Sequence, residues 1–154
     1  GMSYEEDKTH FTMWCLLNSP LMASNDLTVI SEETLSILTN KEMIAINQDP
    51  LVYQGRRLID SGDLEVWAKP LISTVSGEVA VVLLNRSKEE ASISFDLKDV
   101  GLSAEAGHFL KDLWTGEESS NEYNENHTYQ VPAHGVVALR LKGESLLYNI
   151  FQYQ

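Results

Sequence analysis

The segment Val79-Ala80-Val81-Val82-Leu83-Leu84 is a continuous apolar run of six residues. Such a run is typical of a strand at the centre of a sheet, with both faces covered. Shortly before it, Leu64, Val66 and Ala68 occupy every second position, and this period of two predicts another strand. Ser61-Gly62 precedes that strand and marks a turn. These two strands are the starting point for the fold.

Further short strands follow at regular spacing. They are predicted at Ile93–Leu97, where apolar and polar residues alternate, and at Phe109–Trp114, Tyr129–Val131 and Val136–Leu141. Pro132-Ala133-His134-Gly135 lies between the last two and is predicted to be a hairpin turn. Residues 56–142 therefore predict an antiparallel β-sandwich of about seven or eight strands, with the residues before it packed on one side.

Residues 3 to about 50 have a helical pattern instead. Ser3 is a suitable N-cap for a first helix from Tyr4 to Leu17, and acidic residues in the first turn favour the same start. The second half of this helix is apolar almost all round, which predicts cover on more than one side. Pro20 ends it.

A short buried strand is predicted at Leu21–Ser24, and a second helix begins after the N-cap Ser31. Asn40 is expected to end that helix in a left-handed C-cap, before another helical piece at Lys41–Ile46. The fold class is α+β. We divide the chain into a helical segment (1–55), the β-sandwich (56–142) and an apolar tail (143–154).

Composition restricts the partners. The net charge of −12 disfavours binding to nucleic acid, and the longest apolar run is far shorter than the roughly 20 residues that span a bilayer, so no membrane role is expected. Cys15 has no partner for a disulfide, and its apolar neighbours favour a buried thiol over a nucleophile. The four histidines show no metal-ligand spacing, so neither a metal nor another cofactor is predicted.

No residue is singled out as catalytic, cofactor-binding or metal-binding. Paired acids occur at Glu5-Glu6, Glu32-Glu33, Glu89-Glu90 and Glu117-Glu118, but adjacent carboxylates are normally solvated. A glycosidase needs two carboxyl groups that face each other about 5 to 9.5 Å apart. Trp67 and Trp114 are possible sugar-stacking platforms, although packing within or between sheets is the commoner role of such rings.

Several blocks resemble family 27 glycoside hydrolases, the α-galactosidases or melibiases. The segments Trp14–Leu27 and Ile37–Leu51 are similar to the family's "W…aPL…gNDL" and "iL.N.evIaiNQDpLg" stretches, and Asn47-Gln48-Asp49-Pro50 is the most specific part. Gln54-Gly55, Asp112–Gly116 and Val131–Val136 match weaker motifs in the same order. The resemblance covers about residues 3 to 142.

This resemblance implies a parent enzyme with a (β/α)8 barrel followed by an antiparallel β-domain. The barrel carries retaining hydrolysis of terminal α-galactosides through two aspartates, without a cofactor. The family's "K.D" and "WNDPDM" motifs are absent from these 154 residues, so catalytic residues are not carried over. No signal peptide is visible, and Gly1 before Met2 is typical of a residue left after removal of an expression tag. The parent family is usually secreted, periplasmic or lysosomal.

Three functions stay open at this point. The chain is expected to be the C-terminal part of an α-galactosidase and inactive alone, a carbohydrate-binding β-module, or a subunit that completes a partner's barrel. The first helix would lose its expected neighbours in the parent barrel, and Phe11, Met13, Trp14, Leu16 and Leu17 would need other cover. We therefore expect a homodimer through this helix. Tyr148, Phe151 and Tyr153 of the tail could cover part of the same surface.

Overall fold

The computed structural model describes residues 1–26, 28–72, 77–121 and 126–146. Three helices come first, at α1 (Tyr4–Leu16), α2 (Glu32–Leu38) and α3 (Lys41–Asn47). Eight strands follow, with a 3-10 helix at Leu97–Val100 between the fourth and fifth. They are β1 (Arg56–Ser61), β2 (Leu64–Pro70), β3 (Gly77–Asn85), β4 (Ala91–Asp96), β5 (His108–Asp112), β6 (Glu118–Asn121), β7 (Asn126–Val131) and β8 (Val136–Gly143).

Two antiparallel sheets face each other. The large sheet has the order β1-β2-β3-β8-β5-β6, and the small sheet pairs β4 with β7. The predicted β-sandwich is therefore confirmed, and the described residues contain eight strands, within the predicted number. The 3-10 helix follows β4 directly, and the left-handed Gly101 ends it at φ +84°.

The large sheet is covered on both faces, which explains the apolar run of β3. Val79, Val81 and Leu83 face the small sheet and join one core, together with Phe95 and Leu139. The intervening Ala80, Val82 and Leu84 join a second core with the helices. The helices, the large sheet and the small sheet thus form three successive layers.

The helices begin at the polar caps that the sequence indicates. The Ser3 hydroxyl accepts a hydrogen bond from Glu6 N at 3.3 Å, while Glu6 Oε2 accepts one from Ser3 N at 2.7 Å, which completes a capping box. Ser31 caps α2 through Thr34 N at 3.1 Å. Helix α1 then packs on α2 and α3 and on strands β3 and β8.

Three local expectations are wrong. Leu21–Ser24 forms no strand and is largely exposed, because no strand lies beside it among the described residues. Asn40 is not in a left-handed C-cap: its φ is −62°, and its side chain caps α3 by accepting from Met43 N at 3.0 Å. Residues 113–114 leave β5 for a turn in which the Asp112 carboxylate accepts from Trp114 N at 2.8 Å.

The segment 132–135 is also not a hairpin turn. β7 pairs with β4 in the small sheet, whereas β8 pairs with β3 and β5 in the large sheet, so this segment crosses between the layers. His134 adopts a left-handed φ of +52° there, and its N–H donates to Ser87 O at 3.1 Å. A turn motif predicts only a local change of chain direction. It does not indicate which sheet the next strand joins.

Candidate functional site

The Asn47-Gln48-Asp49-Pro50 block lies where the helices meet the large sheet. The buried Asp49 carboxylate accepts from Leu51 N at 3.0 Å and from Ile72 N, just beyond β2, at 3.1 Å. Asn47 Nδ2 donates to Ser19 O at 2.9 Å, beyond the end of α1. These bonds join α1, α3 and the end of β2, so the most specific sequence motif has a structural role here.

Lys69 is fully buried at this helix–sheet junction, which we define as Asn18, residues 46–49, Lys69 and Ile72. Its Nζ donates to Asn18 Oδ1 and to Ile46 O. Burial lowers the pKa of Lys69, and the Asp49 carboxylate acts in the opposite direction. The two hydrogen bonds satisfy a charged group that would otherwise be costly to bury.

Cys15 lies in the same buried region. Burial raises the pKa of its thiol to about 12, although the positive charge of Lys69 acts to lower it. A thiol with such a pKa is protonated at neutral pH and is a poor nucleophile. Cys15 is therefore a core residue, as the sequence predicts.

Gly55 allows the linker after α3 to lie directly on α1. Its N–H donates to Leu16 O at 2.8 Å, and a Cβ atom added at this position would be only 2.5 Å from Leu16 Cγ. Asn18 Nδ2 also donates to Tyr53 O at 3.1 Å. The linker is thus fixed to the end of α1 by two hydrogen bonds and a close approach that only glycine permits.

A groove of about 540 Å³ lies beside the junction, between α1, α2, α3 and the segment 21–25. We call it the helical groove. Its apolar lining includes Phe11, Leu21, Ile37, Leu38 and Ile44, and all the lining residues that the structure describes lie between positions 2 and 48. Two further lining residues are open to solvent, since Met22 is 82% exposed and Trp14 is 39% exposed. An apolar concave surface of this kind is typical of an interface.

Within the part of the chain that the structure describes, the helical groove contains no pair of facing carboxylates. Asp7 is the one acidic residue among the described residues that line it. The adjacent acid pairs lie elsewhere: Glu5 forms an ion pair with Lys8 at 2.9 Å, and Glu32 and Glu33 are exposed in the first turn of α2. Glu89, Glu90, Glu117 and Glu118 are exposed as well. The arrangement therefore favours binding to an apolar surface over acid–base chemistry.

One carboxylate is buried on the helix-facing side of the large sheet. Glu65 accepts from Arg57 Nη1 at 3.0 Å and from Trp67 Nε1 at 2.7 Å, and its carboxylate pairs with Arg86 at 3.1 Å. Two cations and one neutral donor thus compensate its charge. Glu65 is fully engaged in holding β1, β2 and the end of β3 together.

The two tryptophans considered as sugar platforms are partly buried. Both pack against the core that the helices share with the large sheet. Trp67 Nε1 donates to Glu65, and Trp114 Nε1 donates to Thr12 Oγ1 at 3.0 Å across the interface with α1. Their polar groups serve internal contacts, so neither ring is presented as an open platform.

One buried contact was missed from the sequence. His108 on β5 and His127 on β7 meet between the two sheets, with their Nε2 atoms 2.9 Å apart. They are 19 positions apart and lie on strands of different sheets, so no local spacing could indicate the contact. Within the described ranges, no group of three or more His, Cys, Asp or Glu could hold a metal ion. No described helix is long and apolar enough to cross a membrane.

The fold and the helical groove together define a class of protein: a two-sheet β-domain joined through a polar junction to helices with one unpaired face. The chain belongs to the α-galactosidase (melibiase) family of glycoside hydrolases. Residues 61–141 match the family described as alpha galactosidase C-terminal beta sandwich domain, and residues 1–49 match the family described as alpha galactosidase A.

Curated relatives and solved structures agree with this assignment. The chain is 44% identical to alpha-galactosidase A of Cellvibrio japonicus, over 92% of this chain and 36% of that protein. It is 39% identical to alpha-galactosidase 3 of Arabidopsis thaliana, over 87% of this chain and 31% of the relative. Alpha-galactosidase I from Mortierella vinacea superposes with a TM-score of 0.86 at 30% identity, covering 94% of this chain and 37% of that one. The chain thus spans about a third of the length of these relatives.

The structural likeness extends to a neighbour with a different named activity. A β-L-arabinopyranosidase from Geobacillus stearothermophilus superposes with a TM-score of 0.79 at 27% identity, covering 91% of this chain and 30% of that one. The β-domain and the adjoining helices are therefore shared by enzymes with different sugar specificities. Their common fold does not by itself select a substrate.

Proposed function

We propose that this chain is the C-terminal part of an α-galactosidase that hydrolyses terminal α-galactosides, and that it is not catalytic alone. The observation that carries this proposal is the helical groove, whose described lining residues all belong to the stretch that matches the family described as alpha galactosidase A. The curated relatives are about three times longer than the matched region. The groove is then the surface on which the remainder of a catalytic domain packs.

The chemistry agrees with an inactive isolated chain. Retaining glycosidases use two carboxyl groups about 5 to 5.5 Å apart, one as nucleophile and one as acid/base. General acid–base catalysis alone contributes about 10²- to 10⁴-fold to the rate. Among the described residues, the groove offers only Asp7, which cannot supply both groups.

The groove also favours a second candidate function, a subunit that completes a barrel supplied by another chain. A separate sugar-binding module has less support, because Trp67 and Trp114 are partly buried and hydrogen-bonded internally. Binding of galactose or melibiose, measured by calorimetry and lost on replacing either tryptophan, would favour that third function instead.

The test is fragment complementation with p-nitrophenyl α-galactoside as substrate. We expect no turnover by the pure chain. We expect turnover when the chain is co-expressed with the part of the Cellvibrio japonicus enzyme that precedes the matched region. Trp14→Glu, which places a charge in the helical groove, should prevent complementation. Leu58→Glu is the matched control, because Leu58 is a 44% exposed apolar residue on β1 outside this groove.

Each outcome has a separate meaning. Turnover by the pure chain that is lost on replacing one of its own carboxylates would contradict the proposal of an inactive chain. Failure of co-expression to restore turnover, with both chains soluble, would contradict packing of the missing domain on this groove. Equal loss in Trp14→Glu and Leu58→Glu would mean that the groove is not the contact surface.

A further inference from the structure

His108 and His127 form a buried contact between the two sheets that the proposed function does not use. His108 lies on β5 of the large sheet and His127 on β7 of the small sheet, and they are only 4% and 6% exposed. Their Nε2 atoms are 2.9 Å apart and their rings are nearly perpendicular, at 89°. This polar contact adjoins the apolar core between the two sheets, because His127 stacks on the core residue Phe95.

The distance requires one ring to donate and the other to accept. His108 Nδ1 is buried and has no hydrogen-bond partner within the described ranges. Unpaired buried N–H groups are rarer than unpaired acceptors, so the proton of neutral His108 belongs on Nε2. His108 Nε2–H then donates to His127 Nε2. A proton added to the His108 ring would create a buried N–H at Nδ1 without an acceptor, and protonation of both rings would place two donors face to face.

Among the described residues, the groups that surround the pair do not compensate a positive charge. Phe95 on β4 lies directly opposite His127 and stacks on its ring at 5.4 Å. Asn121 on β6 lies opposite His108, and Gly143 on β8 is close to the His108 Cβ. Tyr129, two residues further along β7, is a neutral phenol whose pKa is raised by burial and by Asp112.

Three charged residues on these strands have other partners. Asp96 on β4 accepts from Asn126 at 2.9 Å, and Lys111 on β5 forms ion pairs with Glu42 and with Glu118 on β6. Asp112, at the end of β5, accepts from Trp114 N at 2.8 Å. Lys142 on β8 lies opposite Phe109 and Glu78 and is itself exposed.

We propose that His108 and His127 form a proton-sensitive latch between the two sheets. When both rings are neutral, their hydrogen bond connects β5 with β7. When the pair is protonated below neutral pH, the donor–acceptor match is lost and the small sheet, β4 with β7, separates more easily from the large one. Acidification would thus weaken the attachment of the small sheet. This effect does not involve the helical groove.

The direction of the pH effect follows from the two protonation states. Burial lowers the pKa of His108, and burial together with the charge of His108 lowers that of His127. The unfolded chain, with histidine pKa values near 6.5, therefore binds more protons than the folded chain below that pH. The stabilisation is fully present above about pH 7 and decreases as the pH falls through 6.5. Each histidine then lowers the folding equilibrium constant by up to about tenfold per pH unit.

The first test compares denaturant unfolding at pH 7.5 and pH 5.5. Replacing the pair by His108→Gln and His127→Gln keeps donors and acceptors but removes both titrations. We expect the wild-type folding equilibrium constant to decrease more between these pH values than that of the double variant, by up to about tenfold per histidine. His134→Asn is the control, because His134 is an exposed histidine with a left-handed φ that asparagine tolerates. It should follow the wild type.

The second test needs no variant and covers the case in which the glutamine pair does not fold. Amide hydrogen exchange, corrected for the intrinsic effect of pH, is followed strand by strand in the wild-type chain. We expect β4 and β7 to lose protection between pH 7.5 and 5.5 before β3 and β8 do. Equal pH dependence of the wild type and the double variant, or simultaneous loss of protection in all four strands, would overturn the latch.

Discussion

At the level of single residues, the backbone conformation of Val52 is strained. It is β-branched, yet its φ is +56°, and its side chain is 70% exposed. A left-handed conformation costs a residue with a Cβ about 1 to 2 kcal/mol, and a branched Cβ is the least suited to it. The conformation persists because the linker is fixed on both sides of Val52, by the bond from Val52 N to Asp49 O at 3.0 Å and by the contact of Gly55 with α1.

We predict that Val52→Gly stabilises the chain by about 1 kcal/mol. Glycine adopts positive φ without a steric penalty, and little packing is lost because the valine is exposed. Urea denaturation measures the change. Val29→Gly is the control: Val29 is 78% exposed in irregular structure but is not among the positive-φ residues. It should be neutral or destabilising, and a stabilisation equal to that of Val52→Gly would contradict the explanation by strain.

At the level of helices and strands, the sequence predicts where an element begins and which faces it buries better than it predicts which strands pair. Ser3 and Ser31 indicate the starts of α1 and α2 because capping needs only a side chain and the next three residues. The apolar run of β3 likewise indicates burial on both faces. Pairing is not local, so nothing in residues 129–141 shows that β7 and β8 join different sheets.

The same distinction holds for the candidate site. The sequence identifies the Asn47–Pro50 block through its resemblance to a family, but it does not show that Asp49 reaches Ile72 N. The helical groove could be anticipated from the apolar second half of α1. The contact of His108 with His127 could not be anticipated from the sequence, because it depends on how the two sheets face each other.

The junction leads to a prediction about how the helices are attached to the sheet. Asp49→Ala removes the acceptor for Leu51 N and Ile72 N and leaves the buried Lys69 charge with less compensation. We expect destabilisation of about 2 to 4 kcal/mol, because hydrogen bonds to a charged acceptor contribute about 1.5 to 3 kcal/mol each. Thermal unfolding measures it. Asp63→Ala is the control, since Asp63 is exposed and lies 3.9 Å from Arg86; it should change stability by less than about 0.5 kcal/mol. Similar losses for both would show that Asp49 has no special role.

At the level of the whole molecule, polarity and charge are unevenly distributed. Residues 1–49 contain eight acidic and two basic residues, and the helical groove lies within this acidic stretch. The exposed apolar residues Met2, Trp14 and Met22 line the groove. An apolar surface within an acidic segment attracts apolar partners, but two copies of it repel each other through their charges. This combination makes self-association dependent on salt.

We propose that the isolated chain forms a two-fold homodimer through α1 and the helical groove. Removing exposed apolar side chains from water is worth about 25 cal/mol per Å², and an isologous contact buries the same surface twice. The acidic residues of the two copies oppose this contact at low ionic strength, and screening shortens their reach from about 10 Å at 0.1 M salt to about 3 Å at 1 M. We therefore expect the dimer fraction, measured by sedimentation or light scattering at micromolar concentration, to increase with salt.

Variants distinguish this dimer from unspecific association. Trp14→Glu places a further acid on the proposed contact surface and should give a monomer even at 1 M salt. Leu58→Glu changes a similarly exposed apolar residue on β1 and should leave the dimer intact. High salt also favours general apolar aggregation, but aggregation would respond to both variants and would continue beyond two copies. A monomer at every salt concentration would mean that the helical groove does not bind a second copy. A dimer that persists in Trp14→Glu would place the contact on another surface.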